Sequence, residues 1–359
     1  MAKLMVGYNW DIELAKFIVE MNKKYKDETN VYVNDVYASL KGDPIGCSRE
    51  LSRLPEVSFK TLEEHVKYLK DNGVLFNYVF NTASFGSIQE FEAKYDEMVA
   101  FLKQLRDIGV EIVTVTLPLV MEMINKEVPE LKINVSTITH VDNIQQFLYY
   151  RDVLKVDRIT LKLDSNRDFK FLNQIKDLGV DIELMTTEFC MWSCPWRDHH
   201  YDLQSHNSKF GPFGNYPYGR CISAIDTPGK WLMTRFIRPE DMKIYEEIGI
   251  EFFKITGRTF PTSWLKNTLS KYYERNYDGN LMDLCPMIIN IGHKKLPPQF
   301  YIPNKKLDGF LEYFRDSGVN CDTDCGVTCN FCNEFADKIG ARKLTKEERF
   351  EYTSFYTEG

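Results

Sequence analysis

Eight short apolar, β-branched runs alternate with amphipathic helical patterns along this 359-residue chain, and that rhythm restricts the fold more than any other feature. The runs are Leu4–Tyr8, Asn30–Tyr37, Leu75–Asn81, Glu111–Pro118, Leu131–Ile138, Arg158–Leu163, Asp181–Glu188 and Phe252–Gly257. Helical periodicity falls at 11–25, 59–72, 88–108, 119–128, 142–153, 167–177, 239–248 and 261–275. At four helix-to-strand joints a glycine precedes an apolar residue: Gly73-Val74, Gly109-Val110, Gly179-Val180 and Gly249-Ile250. Glycine takes the left-handed conformation that ends a helix, and the next residue opens a strand. Strands that alternate with helices pair in parallel, and eight of them close most simply into a barrel. The expected fold class is α/β, a (β/α)8 TIM-barrel-like core over 1–275, with an open doubly wound sheet as the structural rival. No Gly-rich phosphate loop follows the first run, where GYNWD stands, which lowers the dinucleotide-binding reading.

Two stretches break the rhythm. Residues 190–238 form a long insertion after strand 7, rich in Trp, His, Tyr, Pro and Gly, and expected to be irregular. In a barrel it emerges at the C-terminal rim, where active sites sit. Residues 276–359 form a C-terminal extension, an appendage with an amphipathic helix near 305–317 and then a cysteine cluster. A net charge of −7, without a basic tail, gives no indication of general nucleic-acid binding. No eighteen-residue apolar stretch and no signal-peptide pattern is present, so a cytoplasmic chain without a membrane span is expected.

The nine cysteines carry the strongest chemical signal. An odd number in a reducing compartment fits poorly with a disulfide framework. Cys321, Cys325, Cys329 and Cys332 crowd into twelve residues, a density that packing does not explain. Thiolates so spaced suit either zinc or an iron–sulfur cluster. The spacing of Cys325, Cys329 and Cys332 also resembles the radical-SAM cluster motif, although that motif follows the first strand of a barrel and nothing barrel-like follows it here. Cys190, Cys194 and Cys221 form a second group that can hold three corners of a 4Fe-4S cluster, or serve as small buried apolar side chains. Cys47, after strand 2, and Cys285 are candidates for a fourth ligand.

Around these thiols stand candidate acid–base and anion-binding groups. Glu188 ends strand 7, and His199, His200 and His206 fall in the insertion with Arg197 and Arg220. Histidine there can ligate metal, shuttle protons or meet an anion, or simply be a hydrogen-bonded loop residue. Glu188, His199 and His200 are the catalytic candidates. Arg49 and Arg53, after strand 2, and Lys254 and Arg258, at the end of strand 8, are the substrate-binding candidates, suited to a carboxylate or phosphate. Asn34, Asp35, Asn81, Ser136, Thr137, Asp164 and Asn166 collectively suggest a polar pocket at strand C-termini. No HExxH helix is present and no Ser-His-Asp order can be read; residue types alone also allow a Cys-His protease, although the cysteines come in ligand-like groups.

The strand-7 exit with Glu188 and Cys190, the GRC at Gly219–Cys221, and RFIRPEDMKIYEEIGIEFFKITGR at Arg235–Arg258 resemble the collagenase-like peptidase family, peptidase family U-32. The likeness spans most of 1–280 and is specific from about 181 to 275. It implies a barrel-like core, with a cysteine-held 4Fe-4S cluster in several branches that carry out oxygen-independent hydroxylation. Other members are peptidases acting on collagen. The chain departs from the family pattern at Lys243, where a cysteine is usual, and lacks the paired cysteines after the GRC element. The combined expectation is an iron–sulfur oxidoreductase, hydroxylase-like, acting on a small or modified substrate. Cys190, Cys194 and Cys221 would hold one 4Fe-4S cluster, with Cys47, Cys285 or a tail cysteine as the candidate fourth ligand, and the tail cysteines Cys321, Cys325, Cys329 and Cys332 a second centre, 4Fe-4S or zinc. The alternatives are a peptidase or peptide-modifying enzyme, and a non-catalytic metal-stabilised subunit that pairs with a homologous partner in a hetero- or homo-oligomer.

Overall fold

The computed structural model describes residues 1–211, 220–285, 290–291, 294–295 and 300–349. Eight parallel strands close into a barrel in sequence order: β1 (Ala2–Gly7), β2 (Val31–Ala38), β3 (Leu75–Phe80), β4 (Ile112–Val115), β5 (Lys132–Val135), β6 (Arg158–Thr160), β7 (Asp181–Met185) and β8 (Phe252–Ile255). Closure is by β1 against β8, where Lys3 pairs with Phe252 and Val6 with Ile255. The open-sheet rival is thereby excluded. Helices α1 (Ile12–Glu28), α2 (Phe59–Asp71), α3 (Ile88–Asp107), α4 (Pro118–Glu127), α5 (Ile144–Asp152) and α6 (Phe169–Ile175) follow the first six strands. Their starts are fixed locally. Ser87, for example, accepts from the Glu90 amide while Glu90 caps back onto Ser87, a reciprocal capping box. Gly73, Gly109, Gly179 and Gly249 all have positive φ, as the joint pattern requires.

The barrel interior is polar at mid-height, unlike the branched apolar layers usual in such barrels. Arg158 Nη1 donates to Asp35 Oδ1 at 2.9 Å and to Glu183 Oε2 at 3.4 Å. Thr160 Oγ1 donates to Glu183 Oε1 at 2.6 Å, and Lys254 Nζ lies 3.7 Å from the same oxygen. Asn77 donates to Asp35, and Thr114 to Asn77. Above this ring, Met5, Tyr37 and Val79 make an apolar layer with Cys47 and Leu54 from the β2–α2 connection.

Among its described residues the insertion is largely helical, not irregular as expected. It carries α7 (Arg197–Phe210), α8 (Arg220–Ala224) and α9 (Pro228–Leu232) before α10 (Met242–Glu246), β8 and α11 (Thr262–Glu274). Helix α7 escapes a periodicity reading because its buried face is polar: Arg197, Gln204, Ser205 and Ser208 are all buried. The extension continues with α12 (Phe310–Asp316), α13 (Cys321–Asp324) and α14 (Phe331–Ile339). Phe310, Phe314 and Phe335 belong to the same hydrophobic cluster as the barrel helices, so the extension shares the barrel's core. Gly229 of α9 admits α14 closely: a Cβ there would lie 2.8 Å from Asn333 Cα. No helix among the described residues is long and apolar enough to cross a membrane.

Candidate functional site

The C-terminal rim is built at the exit of β7. The chain leaves Met185 through Thr187 and Glu188 and turns at Cys190–Cys194, where Ser193 adopts a left-handed φ of 48°. Such strain in a non-glycine residue clusters at functional sites. Arg197, at the start of α7, anchors the turn. Its Nη1 and Nη2 donate to the two oxygens of Asp164 at 2.6 and 3.1 Å, and Nη2 also donates to the Met191 carbonyl at 2.7 Å. The Arg220 guanidinium lies 5.6 Å from the centre of the Trp196 ring, which brings α8 and Cys221 to the same turn.

These contacts gather Cys190, Cys194, Cys221 and Glu188. Burial pushes the Cys190 thiol up to about 12, opposed by the Arg197 guanidinium, with Glu188, Cys194 and Cys221 close enough to raise it further. Burial also raises the Glu188 carboxyl, against the pull of Arg49 and Arg197. His200 goes the other way, to about 4, because burial and the cations of Arg49 and Arg53 disfavour its charged form. It is therefore a neutral imidazole at neutral pH. Tyr201, which the sequence did not single out, faces Cys190 and Glu188, and burial holds its hydroxyl well above the usual range. It shares the inward face of α7 with Arg197 and Gln204, a face visible only once the helix is known. His199 and His206 lie further out, lining an open groove of about 710 Å³ with Phe85, Trp196 and Lys209.

The remaining candidates are dispersed. Lys254 is inside the barrel beside Glu183, its Nζ 4.5 Å from the centre of the Tyr37 ring, and burial lowers its pKa. Arg258 donates to Ser39 Oγ at 3.1 Å and to Cys47 Sγ at 3.6 Å, so Cys47 sits in the barrel mouth beside a guanidinium. Cys285 donates to the Thr187 carbonyl at 3.6 Å, directly behind Glu188. Asp35 belongs to the mid-barrel ring, and Asn166 donates to the Met185 and Arg235 carbonyls as a structural clamp. Cys321, Cys325, Cys329 and Cys332 line one small cavity together. None of the nine cysteines is disulfide-bonded.

For a 4Fe-4S cluster at the rim, the donor set is chemically apt: three soft thiols beside a buried guanidinium. Among the described residues no three Cys, His, Asp or Glu side chains already close on one ion-sized point. Cys221 follows 212–219, outside the described residues, so its approach is defined from the α8 side alone.

The class of molecule is thus a closed (β/α)8 barrel with a thiol-rich C-terminal rim. The family model for peptidase family U32 matches residues 24–189. A relative from Methanocaldococcus jannaschii, named "Uncharacterized protease MJ1657", is 31% identical over 93% of this chain and 97% of its own length. This chain belongs to peptidase family U32. The model match lies mostly before the stretch 181–275 on which the sequence resemblance is most specific, and meets it at 181–189. Among solved structures, that of the U32 peptidase Mk0906 is similar at 16% identity and a TM-score of 0.49, covering 72% of this chain and 93% of that one. A GH18 chitinase from Pseudoalteromonas aurantia is similar at 7% identity and a TM-score of 0.43, covering 76% of this chain and 100% of that one.

Proposed function

We propose that this U32 protein is an iron–sulfur oxidoreductase that modifies a small anionic substrate by oxygen-independent, hydroxylase-like chemistry. What carries the proposal is the gathering of Cys190, Cys194 and Cys221 beside Glu188 at the exit of β7. A 4Fe-4S cluster held by three protein thiols would supply one-electron transfer and leave one iron open to substrate. The chain's own residues frame the rest. Glu188, its pKa raised by burial, is placed to hold or release a proton at its carboxyl oxygens. Arg49 and Arg53 bring positive charge to the same side, suited to a carboxylate or phosphate group. His200, held neutral, can donate or accept one hydrogen bond without adding charge.

The test is anaerobic purification with iron and acid-labile sulfide measured per chain, for wild type and for the double variant Cys190→Ala, Cys194→Ala. About four irons with matching sulfide in wild type, lost in the variant, would support the proposal. Iron-free, colourless wild-type protein that still folds would overturn it.

The family name and the open groove lined by His199 and His206 favour a second reading, a peptidase or peptide-modifying enzyme. Ser205, which lines this groove, is already engaged: its Oγ is 2.8 Å from Ser48 Oγ, accepts from the Ala83 amide and donates to the Tyr201 carbonyl. Cleavage of a labelled peptide library by metal-free protein would decide for this reading.

A further inference from the structure

A charge imbalance lies beneath the extension, and the extension's thiols can correct it. Arg167 and Arg235 are both buried, 5% and 3% exposed. Arg167 donates through Nη1 to the Leu232 carbonyl, while its Nε and Nη2 are buried without a hydrogen-bond partner. Arg235 donates through Nη1 to the Met233 carbonyl, and its Nε is likewise buried and unsatisfied. Neither guanidinium forms an ion pair among the described residues. Aromatic rings surround Arg167, with Phe236, Phe310 and Phe314 centred 5.0, 4.8 and 4.9 Å away, and Trp192 is centred 4.9 Å from Arg235. Ring faces offset part of the cost, but two buried like charges without an anion remain strongly unfavourable.

The missing anion has an evident source. Cys321, Cys325, Cys329 and Cys332 line a single cavity, closed by Trp192, Met233, Arg235, Phe314, Asn330 and Phe331. No carboxylate or imidazole lines it. The cavity measures about 10 Å³, the size of one small ion or water molecule. Four thiolates on one divalent ion form a dianion, which the two guanidiniums neutralise.

We propose that Cys321, Cys325, Cys329 and Cys332 bind a single zinc ion whose tetrathiolate dianion is the counter-charge of Arg167 and Arg235. Binding is Zn²⁺ plus four thiols giving the zinc tetrathiolate and four released protons, with no redox change. Because the four side chains do not yet close on one point, binding draws them inward. Arg167 reaches the site through Phe314, whose ring it covers and which lines the cavity beside Arg235. The site fastens the extension over Trp192, the residue midway between Cys190 and Cys194, so it stabilises the rim turn from behind.

The proposal stands apart from the iron–sulfur reading of the rim, and the experiment keeps the two separate. Zinc and iron are measured per chain in full-length wild type, in the rim variant Cys190→Ala, Cys194→Ala, and in the tail variant Cys325→Ser, Cys329→Ser. The expected result is about one zinc per chain that survives the rim variant and disappears in the tail variant. Because the tail variant can fail to fold, wild-type apoprotein is also reloaded with cobalt(II), which should give thiolate-to-cobalt charge-transfer bands. The zinc absorption edge of wild type should show four sulfurs at about 2.3 Å. Arg235→Gln should weaken zinc binding in a chelator competition by about 10- to 100-fold, as removal of a supporting group does at other metal sites. Protein without zinc that gives no cobalt–thiolate bands would overturn the proposal, as would iron and sulfide lost with the tail cysteines. Zinc affinity unchanged in Arg235→Gln would overturn the counter-charge role.

Discussion

Single side chains set the electrostatics of the rim. In the unfolded chain His200 takes up a proton near 6.5, whereas in the fold it does so at about 4. Between those values the unfolded state binds more protons, so this histidine costs no stability above pH 6.5 and costs progressively more as pH falls towards 4. His200→Gln should remove that acid-side loss, of the order of 3 kcal/mol across the window, seen as a difference in urea midpoints between pH 7 and pH 4.5. Asp43 works in the opposite sense. Burial raises its carboxyl to about 6, so it lowers stability as pH rises from 3.8 to 6 and must be included when fitting the wild-type curve. At the barrel mouth Gly7 plays a steric part, because a Cβ there would lie 2.4 Å from the Arg258 backbone nitrogen. Gly7→Ala should cost about 1–3 kcal/mol by overpacking and move Arg258 away from Cys47. Faster labelling of Cys47 by a thiol reagent under native conditions is the measurement; an unchanged rate would argue against that coupling.

Elements differ in how plainly their residues announce them. The eight strands and the helices of the barrel follow apolar periodicity, glycine joints and side-chain caps, and their ends fall within a few residues of the sequence reading. Helix α7 does not, since a buried face of Arg197, Gln204, Ser205 and Ser208 carries no apolar period. Its inward placement rests on partners distant in sequence: Asp164 for Arg197, and Ser48 with Ala83 for Ser205. Helix α14 is legible, with Phe331, Phe335 and Ile339 on one stripe, but its docking surface is not. Docking depends on Gly229. Gly229→Ala places a methyl group against the Asn333 backbone and should cost about 1–3 kcal/mol. Limited proteolysis should then cut the extension sooner than in wild type while the barrel persists.

The whole molecule is a barrel whose interior is charged as well as apolar. Arg158, 6% exposed, holds Asp35 and Glu183, both fully buried, and without it two carboxylates share one low-dielectric space with Lys254. Arg158→Met should cost about 3–5 kcal/mol, because it leaves buried charge uncompensated, and thermal unfolding would register the loss. Replacing Arg158 and Asp35 together by apolar residues, which leaves Glu183 paired with Lys254, should cost less than the single change. The sequence by itself determined the barrel and the two cysteine groups, since periodicity, glycine joints and thiol spacing are local properties of the chain. It also placed Glu188 and Cys190 at a strand exit. Tertiary structure alone decided which groups meet. It set Lys254 inside the barrel, Cys47 against Arg258, and Tyr201 beside Cys190. It also buried Arg167 and Arg235, with no ion pair among the described residues, near four thiols. Those juxtapositions join residues tens to hundreds of positions apart, and their electrostatic consequences arise from shared burial, which no local pattern of residues encodes.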